Sequence, residues 1–205
     1  ALAALSEQDA ASGIRATLEK GALAAVELLG VNDGFLGNPK VRIPLPDSLR
    51  KVRSAARIFG LDDEFEALEV GINRAAEAAV PQAKALLVDA ARKVTVRDAL
   101  DIVRGGDDSV TRYFRSSAGE QIGERFLPIV SRSIGKLDLA KKYDRLASQA
   151  GRLGLVKEDQ ATLDRYVTGK AVDGLFLVIA EKERSLRADP LGSGSAILKK
   201  VFGGL

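Results

Sequence analysis

Cysteine, histidine, methionine and tryptophan are all missing from this 205-residue chain. Without cysteine there is no disulfide, no thiolate nucleophile and no zinc–thiolate site. Without histidine there is no imidazole base, no Ser-His-Asp triad and no histidine-ligated metal or haem. Aromatic residues make up only 5%, so the core has to be built from alanine, leucine, valine and isoleucine. That mixture suits close packing of helices. No apolar run reaches the roughly 18 residues of a membrane-spanning helix; the longest, Gly174 to Ala180, reads as core. An excess of one charge sign is also missing. The net charge of +3 is too small for a dedicated nucleic-acid binder. The first residue is not methionine, from which we expect a processed or truncated start, compatible with removal of a signal peptide.

What is present is helical periodicity. Hydrophobic residues at 46% and charged residues at 29% describe a globular chain rather than a disordered one. Strand signals are almost absent. The fold class expected is all-α: a single domain over 1–205, with seven to nine helices, one long proline-interrupted helix and no significant sheet. Ser6-Glu7-Gln8-Asp9 resembles a capping box before an Ala/Leu-rich helix. Residues 31–48 read as an extended, ordered connector, because Pro44 and Pro46 deny a regular strand.

A short basic helix follows, capped by Asp47 or Ser48 and ending at Gly60, where a turn should fold it against Asp63, Glu64 and Glu66 of the acidic stretch LDDEFEALE. The longest helix is expected from about Asp62 toward Lys93, kinked or broken at Pro81. Thr95-Val96-Arg97-Asp98 reads as a second capping box. Asp108 opens one helix, and another, perturbed by Pro128, runs through Phe126. Helices are expected over 138–153, from Asp159 to Asp189-Pro190, and in a docking segment over 192–205.

Three constellations are candidates for chemistry. In YVTGKAVDGLF, Lys170 and Asp173 stand three apart in an apolar helix, with Gly174 admitting a close neighbour and Glu181 on the same side. A charged pair in such a setting is either a satisfied buried network or the floor of a polar pocket. The expected neighbour is the helix carrying Glu69, Asn73, Arg74 and Glu77, where Glu69, Asn73 and Glu77 step by four along one edge. Carboxylates there could hold a divalent cation or act as acid and base, but nothing in the spacing specifies a metal. Ser193, Gly194 and Ser195 form a turn at a helix N-terminus that could receive an anion, although helix capping uses the same atoms.

Other readings fall away. Gly169-Lys170 lacks the spacing, the Ser/Thr and the preceding strand of a phosphate loop. The TVRDALDIVRGGDDSVTRYFRSS stretch places two acids at the turn of what would be a DNA-reading helix pair, so it reads as an ordinary helical corner. Residues 196–205 make a short amphipathic helix that could lie on a membrane or dock onto its own domain.

Taken together, LSEQDAASGIRATLEKGA, NPKVRIPLP, NRAAEAAVPQAK, TRYF, YVTGKAVDGLF and DPLGSGSAILKKVFG resemble a bacterial family catalogued as domain of unknown function 4197. The stretches run in order over residues 5–203, nearly the whole chain. The resemblance implies an exported or periplasmic product made with a signal peptide, and it carries no activity to transfer. The expected function is non-catalytic binding of a protein partner or of an apolar, lipid-like ligand between helices. No cofactor, metal or nucleic acid is expected, and oligomeric state is not readable. The alternatives are a cation-dependent hydrolase using Glu69, Glu77, Asp173 and Lys170, and a membrane-surface protein engaging lipid through 196–205.

Overall fold

A computed structural model describes residues 4–152 and 160–205, apart from the side chains of 150–152 and 160–162. Nine α-helices and no strand occur among the described residues. They are α1 (Glu7–Leu29), α2 (Asp47–Ala56), α3 (Asp62–Gln82), α4 (Lys84–Lys93), α5 (Ala99–Val103), α6 (Ser109–Lys136), α7 (Leu139–Arg152), α8 (Gln160–Ala188) and α9 (Ala196–Phe202). Two compact units form. The first takes in Ala1–Leu28, Ala83–Ile122 and Leu175–Leu205; the second takes in Leu29–Gln82 and Gly123–Gly174. Both draw on α6 and α8. Neither is a continuous stretch, which is why no linker marks them in the sequence.

In the first unit, α1 buries Ala10, Ile14, Leu18, Ala22 and Ala25 at helical spacing. Ser6 Oγ accepts a hydrogen bond from the Asp9 amide at 3.0 Å, as the capping box requires. The second expected box does not form. Asp98 sits in the left-handed region and makes no side-chain cap. Glu7 of α1 replaces it, accepting from Ala99 N at 2.9 Å and Leu100 N at 3.2 Å. A distant carboxylate satisfies the start of α5 as well as a local one would.

Helix α9 docks by the face carrying Leu198, Val201 and Phe202, all buried. A Cβ added to Gly13 would lie 2.7 Å from Val201 Cγ2, so only glycine lets α9 approach α1 this closely.

In the second unit, α3 buries Phe65, Leu68, Ile72, Ala75, Ala76 and Ala79 on one face. Each of the three large side chains contributes about 1.5–3 kcal/mol. Pro81 breaks the expected long helix: α3 stops at Gln82 and α4 restarts at Lys84. Pro128 does not break its helix. Residues 109–136 form one helix instead of the two expected, because Ile122, Phe126, Val130 and Ile134 are buried in register on both sides of the proline. The longest helix is α8, with 29 residues, rather than the segment from Asp62. The expected helix stop at Gly154 and start at Asp159 lie outside the described residues.

The connector is ordered but only partly extended. Residues 32–41 are mostly turn, with Asp33 at φ 66°, and 42–46 carry no turn or helix. Asn38 organises the turn, its carbonyl accepting from Val41 N and Arg42 N and its side chain from Lys40 N. Neither Asp47 nor Ser48 caps α2. Pro46 holds the cap position without a side-chain bond.

Candidate functional site

The polar edge of α3 comes first, since the strongest sequence candidates lie on it. Asn73 is fully buried. Its Oδ1 accepts from Ile43 N and its Nδ2 donates to Ile43 O, both at 2.8 Å. The amide thus takes the place of a neighbouring strand for one residue of the proline-flanked connector. Nδ2 also donates to Glu69 O at 2.8 Å.

One turn later, Glu77 Oε2 accepts from the amides of Phe35 at 3.1 Å and Leu36 at 3.0 Å. Its other oxygen accepts from Arg74 Nη1 at 2.8 Å, and the same nitrogen reaches Asp33 at 2.9 Å. The Glu77 bond, and then that of Asp33, hold Arg74 above the ordinary arginine range.

One turn earlier, Glu69 accepts from Arg53 of α2 at 3.2 Å and lies 3.8 Å from Arg42. Arg53 also binds Asp62 at 2.9 Å, and Arg57 binds Asp62 at 3.1 Å. The Arg53 and then the Arg57 hydrogen bonds hold Asp62 below the usual carboxylate range. The basic helix therefore pairs with its own acidic neighbour across Gly60, as expected, although the acceptors are Asp62 and Glu69 rather than Asp63, Glu64 and Glu66.

Lys170 and Asp173 are not buried. Both are exposed on α8. Lys170 Nζ lies 5.9 Å from the Tyr166 ring centre, and Tyr166 Oη donates to Pro44 O at 2.6 Å. The close neighbour of Gly174 is not α3: a Cβ there would lie 2.9 Å from Phe35 Cε1 and 3.4 Å from Val41. The connector fills the place expected for the helix. Sequence spacing could put Lys170 and Asp173 on α8 beside apolar residues, but not show that the connector would leave that edge open to solvent.

Glu181 falls in the first unit, whereas the other six residues of the expected cluster fall in the second. Glu181 lines an open groove of about 420 Å³ with Ala24, Glu27, Leu28, Val178, Lys182 and Ser185.

At Ser193–Ser195 the capping reading holds. Ser195 Oγ accepts from Leu198 N at 3.4 Å. Ser193 Oγ accepts from Ser195 N and donates to Pro190 O, and Gly194 takes φ 71°. The apolar face that a membrane contact through 196–205 would need is turned inward as Leu198, Val201 and Phe202.

Two features escape the sequence reading. Glu183 is completely buried and accepts from Val110 N, Thr111 N and Thr111 Oγ1 at 2.7–3.1 Å, satisfying the start of α6. Arg187 binds Glu183 at 2.9 Å, the last carbonyl of α5 (Val103) at 2.8 Å and Ser109 Oγ at 3.0 Å. Its guanidinium lies 4.6 Å from the Phe202 ring centre. The available signal is register: Glu183 falls in phase with buried Phe176, Ile179 and Leu186.

The second feature is the exposed apolar pair at the expected corner between α2 and α3, on a 3₁₀ turn at Arg57–Phe59 closed by Gly60 at φ 73°. Ile58 is 82% and Phe59 68% exposed there. Beside it the carboxylates of Asp62, Asp63 and Glu66 have oxygens within 4.8 Å of one another. No described helix is long and apolar enough to cross a membrane.

No curated protein and no solved structure matches this chain. A family model described as "Protein of unknown function (DUF4197)" matches residues 4–203, and the chain belongs to that family.

Proposed function

We propose that this chain is a non-catalytic binding protein whose ligand is another protein. One observation carries the reading: the edge best suited to chemistry is fully engaged in holding the fold. Glu77, Asn73 and Glu69 bind the connector backbone, Arg74, Arg42 and Arg53. A hydrolase using Glu69 and Glu77 would need them open to substrate, whereas Glu77 is buried. A second reading, binding of an apolar or lipid-like ligand, is favoured by the groove floored by Ala24, Leu28 and Val178. The proposal includes a periplasmic or otherwise exported location, supported by the resemblance to exported proteins; the absence of cysteine is compatible with it. Fractionation of source cells that recovers the chain in the cytosol would remove that part.

Native mass spectrometry of tagged protein recovered from its source cells tests the reading. A stoichiometric adduct of protein mass is expected. An adduct of lipid mass supports the second reading instead, and bare protein removes both.

A further inference from the structure

Gly21 brings α1 against α8, where an added Cβ would lie 2.9 Å from Ile179 Cγ2. Next to this contact the two helices leave the open groove of about 420 Å³. Its apolar lining is Ala24, Leu28 and Val178. Leu28 keeps 50% of its surface in water, and Ala24, one turn before it, is small. One face therefore carries both a protruding side chain and a recess, which is what helix pairs need to interdigitate.

The charges lining the groove are Glu27, Glu181 and Lys182. Glu181 already interacts within its own chain. Glu27 and Lys182 make no ion pair among the described residues. Neighbouring charges along both helices are engaged elsewhere. Glu19 binds Arg92 and has Lys20 beside it. Arg184 binds Asp107 and Asp108, and buried Glu183 binds Arg187. What remains is one acid on α1 and one base on α8, beside apolar surface. An occupant with charge of one sign would bury one of the two unpaired, which is costly. A two-fold copy of the same patch supplies the base to each acid and the acid to each base.

We propose that this groove is the interface of a symmetric dimer of the chain. Glu27 of each copy pairs with Lys182 of the other, and each Leu28 enters the opposite groove beside Ala24. Helices α1 and α8 of both copies then close one apolar layer. The dimer is separate from the partner protein proposed above, and it gives the groove an occupant other than a lipid-like ligand.

Sedimentation equilibrium of the purified full chain tests the proposal. A monomer–dimer equilibrium is expected. Leu28→Ser should weaken the dimer at least tenfold while circular dichroism stays unchanged. Glu27→Lys and Lys182→Glu should each do the same, since each sets like charges across the axis. Mixed in equal amounts, these two variants should form a heterodimer at least tenfold tighter than either homodimer, because both ion pairs return. Glu27→Lys with Lys182→Glu in one chain should restore dimerisation.

A chain that stays monomeric at every concentration overturns the proposal. So does a dimer indifferent to Leu28→Ser, or a mixture of the charge variants no tighter than each alone. A monomer that carries an adduct of lipid mass, lost on Leu28→Ser in native mass spectrometry, would give the groove to the apolar ligand instead. All of these outcomes leave the protein-partner reading as it was, because that reading rests on the polar edge of α3.

Discussion

Asn73 shows how a single side chain can decide a segment's path. A connector containing Pro44 and Pro46 cannot pair as a regular strand, so the Ile43 amide and carbonyl need another partner. The Asn73 amide supplies both, 2.8 Å from each. Aspartate has nearly the same shape but no donor, and its carboxylate would face the Ile43 carbonyl. Asn73→Asp is therefore expected to cost about 2–4 kcal/mol, the penalty of orphaned buried groups. Glu66→Gln, on the exposed side of the same helix, should stay within about 0.5 kcal/mol. Urea unfolding of both variants makes the comparison. An Asn73→Asp midpoint equal to wild type would mean that the amide bonds contribute nothing. Sequence placed Asn73 on an edge of its helix expected to meet another helix, but a single spacing cannot tell a neighbouring helix from a loop.

At the scale of elements, α8 carries two glycines with opposite roles. A Cβ at Gly174 would press on Phe35 and Val41, whereas one at Gly169 would meet nothing within 4 Å. Gly169→Ala should stabilise by about 0.5–1 kcal/mol through helix propensity alone. Gly174→Ala should destabilise by about 1–3 kcal/mol through overpacking. Thermal melts of the two variants should move in opposite directions, and a shared direction would contradict the packing described.

The pairing of α2 with α3 responds to acid. Arg53 and Arg57 depress Asp62, so its folded pKa lies below its unfolded one. The contribution is therefore complete above the unfolded pKa, about 4, and is lost as pH falls through the folded value. Wild type should lose more stability between about pH 5 and pH 2 than Asp62→Asn does, as read from urea midpoints across that range. Parallel profiles would show that the pair does not couple to folding. The pairing across Gly60 was legible because opposite charges flank one turn signal. The choice of Asp62 and Glu69 was not, since it depends on the phase of two helices. Pro81 and Pro128 make the same point: each weakens a helix locally, and only packing on both sides decides whether the helix continues.

For the molecule as a whole, the C-terminal segment is part of the core of its unit. Phe202 is buried beneath Arg187, and Val201 meets Gly13. Phe202→Ala should cost about 3–5 kcal/mol and lower the melting temperature by several degrees. Vesicle binding that required an intact α9, together with an unchanged melt for Phe202→Ala, would restore the membrane reading of that helix.

The sequence by itself determined the all-α class, the absence of thiol and imidazole side chains, the turn at Gly60 and a turn at Ser193–Ser195 able to cap the last helix. These follow from composition, from 3.6-residue periodicity and from contacts within one turn. Only the tertiary structure decided that Glu7 and Glu183 satisfy helix starts more than 70 residues away. It alone decided that Lys170 and Asp173 face solvent, and that the Glu69–Asn73–Glu77 edge holds the connector and α2. The physical reason is that a backbone amide or a carboxylate accepts any partner of the right chemistry. Which partner arrives is fixed by chain packing, and no local spacing encodes it.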